Sequence, residues 1–286
     1  MARIYTVVNQ KGGVAKTTTV INLAAVAALE GKSVLVVDAD AQGNATSGLG
    51  IRRTDIEFCL YDLLVRVDGE AGPAIDEVIR PTATPNLDIL PATIDLAGAQ
   101  LALANSIARE RRLGRVLEPV RGAYDIIMID TAPSLGLLTI NALAAADRVL
   151  IPIQCEYYAL EGLSQLLQII AMVQAELNPG LTMGGAILTM YDSRTNLSEE
   201  VAEEVRTNFP GRTFKAKVPR NVRLAEAPSQ GLPGVVYDKH CPGSAAYRRL
   251  YWEVFEDAQE GTGTWSQRAD LRRGAGAHEG GAGGPC

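Results

Sequence analysis

The chain has 286 residues, is 47% apolar and carries 27 basic against 33 acidic residues, for a net charge of -6. A chain of this length can bury a sizeable core, and the negative balance excludes a global positive field that would draw the whole molecule onto nucleic acid or an anionic membrane. No apolar run approaches the ~20 residues of a membrane span, and no signal-peptide pattern opens the chain, so we expect a cytoplasmic protein. The four cysteines are scattered, with no C-x-x-C pair, which indicates reduced thiols rather than a zinc site or a disulfide framework.

Short apolar runs alternate with longer helical patterns along the chain, which predicts repeated βα units and a mostly parallel sheet. Residues 4–8 are predicted as the first strand, 17–30 as a helix closed by Gly31, and 33–37 as the second strand. Further strands are predicted at 87–90, 124–129, 148–153, 183–188 and 213–218. Further helices are predicted over most of 94–117 and at 157–177, 197–208 and 244–258.

The predicted elements form one domain over residues 1–260. The remaining residues, 261–286, are rich in glycine and poor in apolar side chains. Such a composition cannot bury enough apolar surface to offset the entropy of ordering. We therefore expect a disordered C-terminal tail.

Residues 7–19 (VVNQKGGVAKTTT) follow the first predicted strand and open a helix. A Gly-rich turn in this place surrounds an anion with backbone N–H groups and the positive end of a helix. Lys16 would reach the β and γ phosphates of a nucleotide, and the Thr17 hydroxyl would bind Mg²⁺. The stretch departs from G-x-x-x-x-G-K-[ST] at Gln10 and Ala15, and it carries a second lysine, Lys11.

Three carboxylates, Asp38, Asp40 and Asp130, lie at the predicted ends of strands. In open parallel sheets, ligands bind at this edge. Asp130 follows the apolar run IIMI and suits a carboxylate that holds Mg²⁺ through water, while Asp40 lies in a polar loop where it could position an attacking water. Three such residues beside a phosphate loop favour a nucleotide-hydrolysing site over isolated turn residues.

Together with DADAQGNATSGLG (38–50), YDIIMIDTAPSLGLLTINAL (124–143) and VPRNVRLAEAPSQG (218–231), the loop resembles the ParA/Soj partitioning ATPases of the deviant Walker A class. The similarity covers about residues 2–255. The resemblance implies an α/β, single-domain P-loop NTPase fold, with a mostly parallel twisted sheet flanked by helices on both faces. It also implies a Mg²⁺-dependent ATP hydrolase whose activity is coupled to formation of a homodimer in the ATP-bound state.

The resemblance also implies a role for each site residue. Lys11 matches the lysine that reaches the partner subunit's phosphates, and Asp40 and Asp130 match the switch I and Walker B aspartates. The catalytic set is then Lys11, Lys16, Asp40 and Asp130, and the metal set is Thr17, Asp40 and Asp130. The phosphates would be bound by Lys11, Gly12, Gly13, Val14, Ala15, Lys16, Thr17 and Thr18.

Pro219 and Asn221 are the candidates for contact with the adenine, since similar proteins place the base against this segment. The alternative is structural: Pro219 would end a strand and Asn221 would cap the next helix.

Three departures from the family pattern concern catalysis. Ala15 replaces a loop glycine, Ala41 replaces a proline in switch I, and residues 131–133 read TAP where CPP is common. An alanine at position 15 is acceptable if its φ is negative and strained if it is positive.

The resemblance implies ATP-dependent, sequence-nonspecific binding of double-stranded DNA, a ParB-type partner that stimulates hydrolysis, and a nucleoid-associated location. A few well-placed cations suffice for phosphate contacts despite the net charge. The predicted DNA contacts are Arg194, Arg223, Lys217 and Arg248.

Three alternatives to the partitioning function stay open. One is a MinD-like membrane switch, although the C-terminal tail has little apolar content, and we expect no membrane binding. Another is an iron–sulfur ATPase, although the cysteines do not follow the Walker motifs. The third is a nucleotide-dependent adaptor of low turnover, which Ala15 and Ala41 leave open.

Overall fold

The computed structural model describes residues 1–66, 72–156 and 162–256. Eight strands form one sheet: β1 (Arg3–Val7), β2 (Val34–Ala39), β3 (Arg80–Pro81), β4 (Leu87–Leu90), β5 (Ile126–Thr131), β6 (Arg148–Gln154), β7 (Thr182–Tyr191) and β8 (Thr213–Pro219). Their spatial order is β3-β4-β2-β5-β1-β6-β7-β8. Among the strands of the described ranges, only β3 runs antiparallel to its neighbour, so the predicted mostly parallel sheet is confirmed.

The α-helices connect these strands and cover both faces of the sheet. In chain order they are α1 (Lys16–Leu29), α2 (Asn44–Gly48), α3 (Leu60–Val65), α4 (Ile75–Val78), α5 (Ala99–Ala102), α6 (Arg112–Leu117), α7 (Leu137–Ala145), α8 (Leu163–Glu176), α9 (Asn196–Asn208), α10 (Val222–Glu226), α11 (Gly234–Tyr237) and α12 (Pro242–Tyr251). Gly31 follows α1 with φ +87°, as predicted for a residue that ends a helix.

The period-two alternation of the strands divides the core into two layers. Ile4 of β1 packs into the layer that contains buried residues of α3, α6, α7 and α8. Tyr5 and Val7 face the opposite layer, which α1 and α12 cover. Strands β2 and β5 divide in the same way, so the central strands are buried on both faces, which is typical of parallel sheets.

Several predicted strands end later than expected, and for β2 and β5 this affects the site. The sequence predicted ends at residues 37 and 129, whereas β2 runs to Ala39 and β5 to Thr131. Asp38 and Asp130 therefore belong to the strands and lie directly opposite each other in register. The predicted helix over 94–117 is broken into short 3-10 and α segments, and Ala108, with φ +52°, interrupts it because a right-handed helix cannot continue through that conformation.

One edge of the sheet is closed by β3, which is two residues long and includes Pro81. Within the described ranges, none of the helices combines the length and apolar character needed to cross a bilayer. The predicted tail at 261–286 lies outside the described residues.

Candidate nucleotide site

The loop between β1 and α1 lies at the carboxyl edge of the central strands. Gly13 has φ +74°, which a residue with a side chain rarely adopts. Helix α1 begins at Lys16, directly after the loop. The loop thus presents backbone N–H groups and a helix N-terminus to the same space, as an anion site requires.

Ala15, the residue before α1, has φ +66° and ψ +34°. This is the left-handed region, which costs an L-residue about 1–2 kcal/mol. We expected strain at this position if its φ were positive, and the structure shows that it is. The loop therefore keeps a glycine-like conformation without a glycine.

Lys16 is 7% exposed and its Nζ donates a hydrogen bond to the backbone oxygen of Lys11 at 3.1 Å. Desolvation lowers the pKa of Lys16, while the nearby carboxylates of Asp130 and Asp40 oppose that shift. The ammonium is thus held at the loop by acceptors that a phosphate can replace. Lys11 differs, since its side chain does not line the cavity that Lys16 enters.

Asp38 and Asp130 are both fully buried, side by side at the ends of β2 and β5. Burial is the main cause that raises the pKa of Asp38 to about 6. Burial, followed by the neighbouring Asp38 carboxylate, also raises the pKa of Asp130. The protein therefore concentrates acidic groups where water cannot solvate their charge, which favours binding of a cation.

Asp130 also carries the best structural argument for Mg²⁺. Its Oδ2 accepts a hydrogen bond from Thr17 Oγ1 at 2.6 Å. Its Oδ1 is buried and has no hydrogen-bond partner among the described residues, and such an atom is costly unless a ligand satisfies it. In the described ranges no cluster of three or more His, Cys, Asp or Glu could hold a metal ion, so an ion here would depend on Thr17, nucleotide oxygens and water. The residues fit that arrangement.

Asp40 is 7% exposed and lies just beyond β2. Its backbone N–H donates to Asp38 Oδ1 at 3.2 Å, and its own Oδ1 accepts from the N–H of Gln42 at 3.0 Å. Asp40 lines the same cavity as Lys16 and Thr17. The structure thus brings together Lys16, Thr17, Asp40 and the loop.

Two cavities with shared lining residues adjoin the phosphate loop. The larger, of about 610 Å³, is bordered by the phosphate loop, Asp40 and Pro133. The smaller, of about 210 Å³, is bordered by Pro219, Asn221 and Tyr247. Ala15, Thr18 and Met190 line both. The predicted base-contact residues therefore border a cavity next to the phosphate site. Asn221 also caps α10 by accepting from Leu224 N at 3.3 Å.

Met190 was not found from the sequence. It has φ +51°, which is unusual for a long side chain and typical of strained positions at binding sites. Thr189, the residue before it, donates from Oγ1 to the backbone oxygen of Val14 at 3.1 Å. The conformation accompanies a contact between β7 and the phosphate loop, and no residue pattern in the sequence signals it.

Comparisons with known proteins bear on this architecture. Residues 2–183 match a family model described as an AAA domain. The sporulation initiation inhibitor protein Soj of Bacillus subtilis is 55% identical over 254 residues, covering 89% of this chain and 98% of that protein. The chromosome partitioning protein ParA of Caulobacter vibrioides is 49% identical over 254 residues, covering 88% of this chain and 93% of that protein. The chain belongs to the ParA/Soj family of chromosome-partitioning ATPases.

A solved structure supports the same assignment. The crystal structure of cobyrinic acid a,c-diamide synthase from Mycobacterium smegmatis with bound ADP and magnesium matches with a TM-score of 0.77 at 36% identity. The match covers 88% of this chain and 93% of that one. The P-loop fold predicted from the sequence is confirmed, and this ParA/Soj chain is an ATPase.

The four cations predicted to contact DNA differ in their surroundings. Arg194 has an 86% exposed side chain and pairs with Asp192 at 2.7 Å, an interaction that lowers the pKa of Asp192 to about 2. Arg223 is half exposed and pairs with Glu226 at 3.0 Å. Lys217 lies over the ring of Tyr191 and pairs with Glu199. Arg248 donates to the backbone oxygen of Lys239 at 2.7 Å.

The iron–sulfur alternative can be compared with the described residues. Cys59, Cys155 and Cys241 are each buried and free, and none borders the phosphate cavity. The membrane-switch alternative depends on the C-terminal tail, which lies outside the described residues.

Proposed function

We propose that this ParA/Soj ATPase acts in DNA segregation as an ATP-bound homodimer that binds double-stranded DNA without sequence preference. In this proposal a ParB-type partner stimulates ATP hydrolysis, and hydrolysis releases the DNA. The observation that carries the proposal is the separation of two lysines in one loop. Lys16 enters the phosphate cavity of its own subunit, whereas Lys11 does not line it.

Lys11 is therefore available to a second subunit. Its backbone N–H is fixed by Asn9 Oδ1 at 3.0 Å, so the loop holds the residue while the side chain stays outside the cavity. A cation supplied by a partner can neutralise charge that develops on the phosphates during hydrolysis, as arginine fingers do. Dimerisation and hydrolysis are then coupled through Lys11.

The other site residues act within one subunit. Gly12, Gly13 and the loop backbone bind the phosphates, and Asp40 orients the attacking water. Thr17 would hold Mg²⁺ directly, and Asp130 and Asp40 would hold it through water. The ion, when bound, neutralises charge on the phosphate oxygens.

The first experiment measures retention of nonspecific duplex DNA with ATP, with ADP and without nucleotide. We expect wild type to bind DNA with ATP alone and Lys11→Ala to lose that binding, because the second subunit no longer contributes its cation. Lys32→Ala, which alters a lysine after α1 and away from the phosphate cavity, is the control and should behave as wild type. Equal DNA binding by Lys11→Ala and wild type would show that the dimer does not need Lys11.

The DNA surface is tested at Arg194. The side chain is exposed and held in position by Asp192, so it can exchange that carboxylate for a DNA phosphate at little conformational cost. We expect Arg194→Ala to weaken DNA binding and to lower the slope of log affinity against log salt by about 1 for each arginine removed. ATP binding and dimerisation should not change.

Arg80→Ala provides the matched control for Arg194. Arg80 lies in β3, at the opposite edge of the sheet from β7 and β8, and its NH1 donates only to nearby backbone oxygens. It should leave the salt slope unaltered. A slope that is equally shallow in wild type and Arg194→Ala would remove Arg194 from the interface.

The partner and the turnover are tested together. ATPase activity is measured with DNA and a ParB-type protein on wild type and Asp40→Ala. We expect stimulation of wild type and none of Asp40→Ala, because the variant cannot orient the water. Equal rates would instead favour the low-turnover adaptor, for which the strained Ala15 is the structural argument.

A further inference from the structure

A closed set of hydrogen bonds surrounds Asp38, behind the phosphate cavity. Asp38 Oδ2 accepts from both the backbone N–H and the hydroxyl of Thr46, at 2.8 and 2.7 Å. Asp38 Oδ1 accepts from the backbone N–H of Asp40 at 3.2 Å. Asp38 and Thr46 are both fully buried. The carboxylate thus depends on three donors, and two of them belong to Thr46.

Thr46 also holds a third element. Its Oγ1 accepts a hydrogen bond from the backbone N–H of Ala92 at 3.0 Å, and Ala92 follows β4. One hydroxyl therefore joins the end of β2, helix α2 and the chain beyond β4. Because all three sites are buried, loss of this hydroxyl would remove one of the three donors to the Asp38 carboxylate and leave the Ala92 N–H group without its acceptor.

Asp40 lies inside this set. Its N–H is fixed to Asp38, and its backbone oxygen accepts from the N–H of Gly43 at 2.9 Å, at the start of α2. The N–H of Asp40 is thus attached to a carboxylate that Thr46 holds, and its backbone oxygen is attached to the first residue of the turn that opens the helix containing Thr46. Thr46 does not line the phosphate cavity, whereas Asp40, whose N–H is bound to Asp38, does.

We propose that Thr46 is a positioning residue for ATP hydrolysis, which sets the place of Asp40 through the carboxylate of Asp38. The inference rests on the proposed role of Asp40. An attacking water must be placed closely, and a shift of about 1 Å can lower a rate about 100-fold. Nucleotide binding uses the phosphate loop, which Thr46 does not support.

The test compares Thr46→Val with Thr46→Ser. Valine keeps the shape and removes the hydroxyl, whereas serine keeps the hydroxyl. We expect Thr46→Val to lower kcat by about 10-fold or more while KM for ATP changes by less than about threefold, since only the hydrolytic step uses Asp40. Thr46→Ser should keep kcat within about twofold of wild type, because serine retains the hydroxyl that donates to Asp38 and accepts from Ala92.

A control variant shows whether loss of a threonine hydroxyl elsewhere in the fold lowers kcat. Thr182→Val removes a hydroxyl that donates to the backbone oxygen of Asp147 at 3.0 Å, at the start of β7 and away from the site, and should leave kcat unchanged. If Thr46→Val and Thr46→Ser lose activity equally, or if Thr46→Val keeps the wild-type kcat, the inference is wrong. If Thr46→Val does not fold, Thr46→Ala replaces it, and its kcat is compared with that of Thr46→Ser.

Asp40→Ala separates this inference from the function on which it rests. An active Asp40→Ala would overturn the role of Asp40 and the inference with it. An inactive Asp40→Ala beside a fully active Thr46→Val would overturn the inference alone.

Discussion

Ala15, the residue before α1, has a left-handed backbone conformation. A glycine would adopt the same conformation without strain. We predict that Ala15→Gly raises the free energy of unfolding by about 1 kcal/mol, because the relief of strain exceeds the entropic cost of the added glycine. Urea unfolding of the nucleotide-free protein measures the change.

Ala25→Gly is the matched control for Ala15→Gly. Ala25 is buried within α1, in right-handed helix, so the same substitution should lower the free energy of unfolding by about 1 kcal/mol. If both variants lose stability alike, Ala15 carries no strain that glycine can relieve.

Some residues of the site could be predicted from the sequence, and others are identified only from the structure. Lys16 and Thr17 belong to a motif in which spacing alone places the side chains, and Asp130 follows an apolar strand that predicts its location. Met190 and Thr46 belong to no such motif. Their roles depend on contacts between segments distant in the sequence, such as Thr46 with Ala92, and only the folded chain contains those contacts.

Strand β1 contains a buried polar atom that lowers the stability of the fold. Thr6 is fully buried on the central strand, and its Oγ1 has no hydrogen-bond partner within the described residues. We predict that Thr6→Val raises the free energy of unfolding by about 1–2 kcal/mol, since valine has the same shape without the unsatisfied hydroxyl. Thermal and urea unfolding would show it.

Thr189→Val is the control from another buried strand. The Thr189 hydroxyl is fully buried and donates to Val14, so its removal leaves a carbonyl without a partner and should cost about 1 kcal/mol. Opposite signs for the two substitutions are expected. A loss of stability in Thr6→Val would mean that the Thr6 hydroxyl is satisfied in solution.

The strands and main helices were predictable because apolar periodicity is strong in a sheet buried on both faces. Their carboxyl ends were not. Apolar patterns stop at Val37 and Ile129, yet the backbone ladder continues through Asp38 and Asp130, because hydrogen bonding along a strand does not depend on side-chain polarity. The secondary structure of segment 94–117 was harder to predict, because its apolar pattern is helical throughout and does not show the break at Ala108.

For the whole molecule, the buried carboxylates predict an unusual dependence of stability on pH. Burial raises the pKa of Asp38 to about 6 from an ordinary value of 3.8, so between these values the folded state binds more protons than the unfolded state. Stability from this group is fully present below about pH 4 and is lost as the pH rises to about 6, by on the order of 3 kcal/mol.

The measurement uses nucleotide-free protein in chelator, with unfolding followed from pH 4 to pH 7 on wild type and Asp38→Asn. The difference in stability between the two should move in favour of Asp38→Asn as the pH rises, because asparagine carries no charge to bury. Parallel curves across this range would contradict the raised pKa.

The two-residue strand β3 has a consequence for how copies of the protein meet. A long open edge of a sheet invites pairing with another chain, whereas a short edge strand that contains proline cannot offer the full row of backbone donors. Pro81 stands opposite Asp88 and closes this side of the sheet. The protein is thereby protected from edge-to-edge aggregation on that side, even where many copies gather at high local concentration.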